Sequence, residues 1–431
     1  MGRRKNFRLP TINYLLLISS VRQHVICGID VGNFAVKTII AGVDREIAHP
    51  QIMGIGSVPS TGLRRGAIFD MEETINNIGD SVNQAESMAG VKINEAYVSL
   101  NGLHIRTQLS RGVIVVSRAD SEITQNDIGR VLDAASTISL PPNREIIHVI
   151  PKSFTIDSQE HVKNALGMKG IRLEADVLLV EGLSPHIRNL AKCVNANNIE
   201  VAEFVFAPLA ASKSILDKHQ REHGVLNIDF GGGVSSMTLF HEGELIHTAI
   251  LPVGSRHITN DIAVAFRTSI DKAEEIKRQY GFVGNDESGK KGQVNLSEIL
   301  GEEGMEVPRK QIARIIDCRV SELFDLISAE IKKLPRTYLL PSGIVLAGGG
   351  ANLEGLINFA KDHLKLSAYA GKSHLAEELP DFASDPAFAV AAGLVMWGFE
   401  KELPGGKMGS ANRFSSDFFG KLAKWFKNFL P

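Results

Sequence analysis

Apolar positions along this chain gather into three short β-type runs that each stop in glycine: 28–32 (GIDVG), 227–233 (NIDFGGG) and 343–350 (GIVLAGGG). From residue 24 the pattern predicts a strand, a turn at Gly32 and Asn33, a strand over 36–42 and a further turn at 43–46 that leads into a third strand. The same order returns later as a strand over 225–230, a turn at 231–233, a strand over 237–241, a turn at Glu242 and Gly243, and a strand over 245–251. Apolar runs punctuated by glycine and polar pairs are the sequence form of antiparallel hairpins. Two meanders carrying the same Ile-Asp-x-Gly segment mark an internal duplication.

Between and after the meanders the period changes. Met71, Ile75, Ile78, Val82 and Ala85 recur at helical spacing and predict a helix over 70–90. Residues 94–180 have another texture, with short strands over 96–100, 112–116, 145–154 and 176–180 and one helix over 125–136, which reads as a small α+β insert. A helix over 185–196, a strand over 201–206 and a helix opening at 207, with proline in its first turn, return to the first pattern. Helices follow over 258–266, 271–280 and 310–333, then a strand over 342–347 and helices over 352–364 and 386–399. Residues 281–308 are polar and glycine-rich and read as a loop. The partition is an extension outside the fold at 1–22, a first domain at 23–98 and 179–222, the insert at 99–178, a second domain at 223–257 and 337–400, a flanking subdomain at 258–336, a flexible linker at 401–413 and a terminal helix at 414–431.

The glycine turns carry the candidate chemistry. Glycine lets backbone N–H groups approach a phosphate, and a carboxylate beside such a turn can hold the water shell of magnesium. Asp30 and Asp229 occupy that place, one in each half, and are the candidates for positioning magnesium through water. The candidate contacts to a nucleotide are Gly28, Asp30, Gly32, Asn33 and Lys37 in the first half. In the second they are Asp229, Gly231, Gly232 and Gly233, with Gly348, Gly349, Gly350 and Asn352 at the third turn. Glu274 and Lys277 stand three apart on one helical face and read either as a surface ion pair or as a clamp on a nucleoside. The segment 284–291 nearly spells a P-loop, but Lys291 stands where Ser or Thr is required and no strand precedes it. No Gly-x-Gly-x-x-Gly follows the first strand, so a dinucleotide site is unsupported.

Composition narrows the setting. A net charge of −2 gives no nucleic-acid signature. The three cysteines, Cys27, Cys193 and Cys318, are too few and too scattered for a disulfide framework or a zinc site, which fits a reducing cytoplasm. Arg3, Arg4 and Lys5 before an apolar 12–21 superficially resemble a leader, but residues 19–22 make a poor cleavage site. No run reaches the ~18 apolar residues of a membrane span. The tail is different. Phe414, Phe418, Phe419, Leu422, Trp425, Phe426, Phe429 and Leu430 fall within a sector of roughly 160° at the helical repeat, with Lys421, Lys424 and Lys427 opposite. That is the profile of a helix lying in the interface of an anionic bilayer. The alternatives are a helix packed on its own domain or a partner-binding helix, and the flexible linker before it argues against tight docking.

These motifs together resemble a known family. The glycine turns, 207–212 (APLAAS), 348–352 (GGGAN) and 385–393 (DPAFAVAAG) are similar to the actin/Hsp70/hexokinase superfamily. Within it, 98–104 (VSLNGLH), 147–151 (IHVIP), 170–174 (GIRLE), 259–266 (TNDIAVAF) and the amphipathic tail resemble the bacterial cell-division FtsA family. The resemblance covers about residues 25–430. It implies an α/β actin-like ATPase fold, made of duplicated ribonuclease H-like domains with an α+β insert and a C-terminal amphipathic helix. It also implies an ATP- and magnesium-binding protein on the cytoplasmic face of the inner membrane at the division septum. Its implied partners are the FtsZ C-terminal tail, received by the subdomain around 259–334, further copies of itself, later division proteins and anionic lipids, with no nucleic acid. It places Glu274 and Lys277 at the nucleoside. The chain departs from the family at Val234 and Ser236, where the second turn usually offers a hydroxyl and a carboxylate, and at Asn33 and Phe34, where a small hydroxyl pair is common. Ala207 stands where more active relatives of the superfamily polarise water. Binding with slow turnover at best is therefore expected. An actin-fold small-molecule kinase and a pilus-assembly relative are the alternative readings.

Overall fold

A computed structural model describes residues 24–43, 49–284, 291–301, 305–335, 337–377 and 385–402. The predicted amphipathic tail, the leader-like segment and most of the near P-loop lie outside the described residues. So does the predicted linker apart from Lys401 and Glu402, which belong to the last described helix and not to a linker. The first meander is β1 (His24–Val31), β2 (Ala35–Val43) and β3 (Gln51–Pro59). The two-residue strands β4 (Leu63–Arg64) and β5 (Ala67–Ile68) form a tight hairpin, and α1 (Met71–Ala89) follows. Asp70 caps α1 by accepting from the Glu73 N–H, and Gly90 ends it in the left-handed region. β6 (Glu95–Leu100) then lies parallel to β1.

The insert comprises β7 (Arg106–Val115), α2 (Gln125–Ser136), β8 (Arg144–Ile156), β9 (Gln159–Val162) and β10 (Arg172–Leu183), in the sheet order β7-β10-β8-β9. Thr124 and Asp127 close a capping box at the start of α2, which fixes that helix where its sequence predicts it. α3 (Ser184–Asn195) and β11 (Glu200–Phe206) complete the first sheet, and α4 (Ala207–Ile215) and α5 (Lys218–His223) lead to the second half.

The second half contains β12 (Val225–Phe230), β13 (Ser235–His241), β14 (Glu244–Leu251), α6 (Ser255–Phe266) and α7 (Ile270–Tyr280). A hairpin of β15 (Gln293–Asn295) and β16 (Glu306–Pro308), the long helix Arg309–Ile331, β17 (Ile344–Ala347), the helix Leu356–Leu364, β18 (Ala368–Ala370) and the closing helix Ala389–Glu402 follow. Each large sheet has the same form. The first reads β11-β6-β1-β2-β3 and the second reads β14-β13-β12-β17-β18, so each is an antiparallel meander extended by two parallel strands. The duplication seen in the glycine turns thus extends over ten strands.

Strand parity decides where the chemistry faces. Along β1, Cys27, Ile29 and Val31 join Ile78, Val82 and Val98 on the α1 side. Ile26 turns the other way, onto Phe388, Ala391, Val395 and Phe399 of the closing segment, and Asp30 shares that parity. Along β12, Leu226, Ile228 and Phe230 enter the core shared with α6, α7 and the long helix, while Val225 meets Ala207, Ala210 and Ala211 of α4. Asp229 shares the parity of Val225. Both aspartates therefore face inward, toward the two helices packed between the sheets. The closing helix, grouped with the second domain by its place in the sequence, buries Ala391, Val395 and Phe399 on the first sheet and Ala389, Val390 and Leu394 in the core shared with α4 and β12.

Three local expectations differ from the structure. Residues 281–308 hold the β15–β16 hairpin and a short helix, Ser297–Leu300, because Val294, Leu296, Ile299 and Val307 are buried at a spacing too sparse to show a period. The helix expected over 352–364 begins only at Leu356, since Gly355 at φ +87° interrupts it. α5 buries none of its residues, so it leaves no apolar period to detect.

Candidate functional site

The first and second glycine turns meet face to face. A Cβ on Gly232 would lie 2.8 Å from the Phe34 Cβ, and one on Gly233 would lie 2.6 Å from the Asn33 Cγ. The Ser255 and Arg256 N–H groups donate to the Gly231 and Gly232 carbonyls at 2.9 Å each. The Arg256 guanidinium reaches across to the Asn33 carbonyl at 3.2 Å, and Asn33 Oδ1 accepts from the Gly66 N–H at 3.0 Å. The turns of the two halves are thus joined by backbone contact, which only small residues permit.

Behind this junction the two aspartates end their strands in different company. Asp30 is paired in register with Lys37, whose Nζ lies 4.0 Å from Oδ2. Ser99 Oγ donates to Asp30 Oδ1 at 2.8 Å. Burial raises the Asp30 carboxyl above its ordinary range, while Lys37 and then the Ser99 hydrogen bond pull it back. Asp229 is paired in register with Ser236 and, on the parallel side, with Ala347. Burial and then the charge of Asp30 push its carboxyl up to about 7, with Lys37 opposing. Its Oδ1 is tucked beneath Gly348, which has φ +79°, and a Cβ there would lie 2.2 Å from that oxygen. Glycine is required at 348 on both counts.

The remaining walls come from the third turn and from α6 and α7. The Gly348 N–H donates to the Pro386 carbonyl at 2.9 Å, and Asp385 Oδ1 accepts from Asn352 Nδ2 and from the Ala387 N–H, both at 2.9 Å. Glu274 and Lys277 pair at 2.6 Å, and Thr259 Oγ1 donates to the same Glu274 oxygen at 2.5 Å. Lys277 also donates to Thr259 Oγ1 at 2.9 Å. Burial lowers the Lys277 ammonium pKa against the pull of Glu274. Together these walls enclose a cleft of about 510 Å³, within the size range of small-molecule sites.

Most sequence candidates converge on this cleft. Asp30, Gly32, Asn33, Lys37, Asp229, Gly231, Gly232, Glu274, Lys277, Gly348, Gly349, Gly350 and Asn352 all line it. Two do not. Gly28 lies lower on β1, where a Cβ would strike Leu394 and the Ala391 carbonyl of the closing helix, so it serves helix–sheet packing. Gly233 is turned onto Asn33. Glu274 and Lys277, open between a surface pair and a clamp, sit within a partly buried network on the cleft wall.

The sequence reading missed Ser99, Ser255 and Asp385. Ser99 stood in the quoted 98–104 motif without a role, and the strand pairing that brings it to Asp30 is not written in a single run. Asp385 stood in a quoted motif without a role. Of the departures, Val234 lines the cleft, Ser236 is buried with its Oγ unpaired, and Ala207 is buried at the first turn of α4. Among the described residues no three His, Cys, Asp or Glu side chains converge. A cation here would therefore rest on two carboxylates and water, an arrangement that suits magnesium. The buried, unpaired Ser236 hydroxyl next to Asp229 fits a polar occupant.

The duplicated sheets, the facing Asp-Gly turns and the cleft between them define an actin-like ATPase fold. Solved structures agree. The chain aligns over 86% of its length with 98% of a chain of a PilM-PilN type IV pilus biogenesis complex, at a TM-score of 0.63 and 16% identity. It aligns over 88% of its length with 96% of MreB5 of Spiroplasma citri bound to ADP, at 0.51 and 14%.

The particular family follows from sequence. The family model for cell division protein FtsA matches residues 226–393, and that for the SHS2 domain inserted in FTSA matches 102–181. The chain is 34% identical to cell division protein FtsA of Pseudomonas aeruginosa over 91% of its own length and 94% of the relative's. It is 33% identical to that of Bacillus subtilis over 86% and 82%, and 32% identical to that of Escherichia coli K12 over 90% and 94%. The chain belongs to the FtsA family of cell-division proteins.

Proposed function

We propose that this chain binds ATP with magnesium in the interdomain cleft and works as a membrane-lying, self-associating anchor for the FtsZ ring. The observation that carries the nucleotide reading is the pair of inward-facing aspartates on facing glycine turns. The N–H groups of Gly231, Gly232, Gly349 and Gly350 on the cleft wall suit phosphate oxygens, and Lys37 adds a positive charge at the Asp30 end. Asp30 and Asp229 would hold magnesium through its waters, and magnesium supplies charge neutralisation of the phosphates. Glu274 and Lys277 would face the nucleoside. Related folds bound to ADP and to AMPPNP in MreB5 support this choice of ligand. Neither Val234 nor Ala207 can orient a water, and Ser236 offers only a hydroxyl, so turnover is slow and binding is the function.

The remaining roles rest on family membership and on the tail. The aromatic face of 414–430 and its lysines suit the inner membrane's anionic cytoplasmic leaflet. No described helix is long and apolar enough to cross a membrane. The FtsZ tail would dock on the subdomain over 258–336, the insert would serve contacts between copies, and later division proteins would join the assembly. The pilus-assembly alternative has a fold neighbour in its favour, whereas the sequence relatives named above carry division names. Co-sedimentation with anionic liposomes and FtsZ, with and without ATP, tests the proposal. FtsZ should pellet only with the chain and liposomes together, and Trp425→Glu should release both. Retention of the variant on liposomes would overturn the tether.

A further inference from the structure

We propose that Ser99 is the positioning residue of the cation site, holding the Asp30 carboxylate so that its Oδ2 faces the cleft. The inference rests on the nucleotide reading of that cleft and concerns how the cation shell is held there. β6 runs parallel to β1 with Val98 opposite Ile29, which carries Ser99 level with Asp30. Ser99 is only 2% exposed. Its Oγ accepts from the Val31 N–H at 3.0 Å and donates to Asp30 Oδ1 at 2.8 Å.

A hydroxyl has one hydrogen. The backbone amide takes a lone pair of Ser99, so the single hydrogen is left for the carboxylate. This fixes the side-chain torsion of Asp30. Oδ1 is committed to the strand, and Oδ2 is left on the Lys37 side, 4.0 Å from its ammonium. A carboxylate committed through one oxygen presents the other at a constant place, which an octahedral water shell requires. The equivalent place beside Asp229 is held by Ala347, which has no hydroxyl. The device is therefore particular to the first half and is not a by-product of the repeated fold.

The test compares nucleotide affinity in magnesium with affinity in EDTA for the full chain, wild type and Ser99→Ala, with thermal melting of each. A hydrogen bond to a charged group suggests that the variant loses about tenfold in affinity with magnesium, while its affinity in EDTA stays unchanged. Ser99→Thr, which keeps the hydroxyl, should restore the magnesium arm. Equal loss in both arms would mean a merely structural role, and no change in either would mean no role; each overturns the inference. If Ser99→Ala lacks a cooperative melt, Ser99→Cys, close in shape with a weak S–H donor, supplies the same comparison. Absence of nucleotide binding by the wild type in both arms would instead sink the nucleotide reading itself.

Discussion

The two meanders place an aspartate at the same point of the same sheet, yet give it opposite surroundings. Asp30 has a lysine across one strand pair and a serine across the other. Asp229 has Ser236, whose hydroxyl is unpaired, and Ala347. The repeated backbone fixes where a carboxylate stands. Burial raises both carboxyls, and the neighbouring side chains decide what opposes or adds to that shift: Lys37 and Ser99 oppose it at Asp30, while the charge of Asp30 adds to it at Asp229. Duplication supplied two equal positions, and substitution on the flanking strands made them unequal.

The harshest way to break the second position is Gly348→Ala, which needs a strained left-handed backbone and drives a methyl into Asp229 Oδ1. Stability should fall by about 3 kcal/mol in a denaturant melt, and nucleotide binding should vanish. Asp229→Asn sharpens the contrast. Because the folded carboxyl sits at about 7, above an unfolded value of about 3.9, its neutral form favours the fold. That contribution is present below pH 3.9 and is lost as pH rises through 7. At pH 8, without nucleotide, Asp229→Asn should therefore stabilise the protein by about 2 kcal/mol. Asp30→Asn should also lower the Asp229 carboxyl back toward its ordinary range, since it removes the charge that pushes it up.

A third prediction concerns the insert, which only the first half carries at this place. His148 on β8 accepts from the Phe206 N–H of β11 at 3.0 Å, and burial pushes its imidazole down to about 4, with Glu203 opposing and Lys401 adding to the shift. The folded value lies below the unfolded one, so stability present above pH 6.5 declines as pH falls through 4. His148→Gln keeps an acceptor and should flatten that decline by roughly 1 kcal/mol, seen as slower hydrogen exchange in β8 at pH 5. The smallest effect is expected at Ser236→Ala. With no protein partner to lose, the variant should melt within about 0.5 kcal/mol of wild type.

Much of the fold was legible because its signals are local. The Ile-Asp-x-Gly repeats and the apolar spacing from Met71 to Ala85 each act over a few residues, and the structure places the two meanders, α1 and α2 where the sequence predicts them. The β15–β16 hairpin and α5 were not legible. The first is held by four scattered apolar side chains packed against distant helices, and the second buries nothing. In the cleft, the turns and aspartates were readable as motifs. Ser99, Asp385 and the Thr259 link between Glu274 and Lys277 depend on elements brought together from far along the chain.

The sequence by itself determined the two glycine-turn meanders, the insert, the family and the residue types able to face a phosphate. Spacing along a strand or helix fixes the meanders and the insert, through periods of two and 3.6 residues, and the resemblance of the quoted motifs points to the family. The tertiary structure alone decided that Gly28 serves helix packing, that the closing helix returns to the first sheet, and that Asp30 and Asp229 carry different electrostatic loads. Burial and the charges of side chains on neighbouring strands set those properties, and neighbours across a sheet are chosen by folding and not by order in the chain.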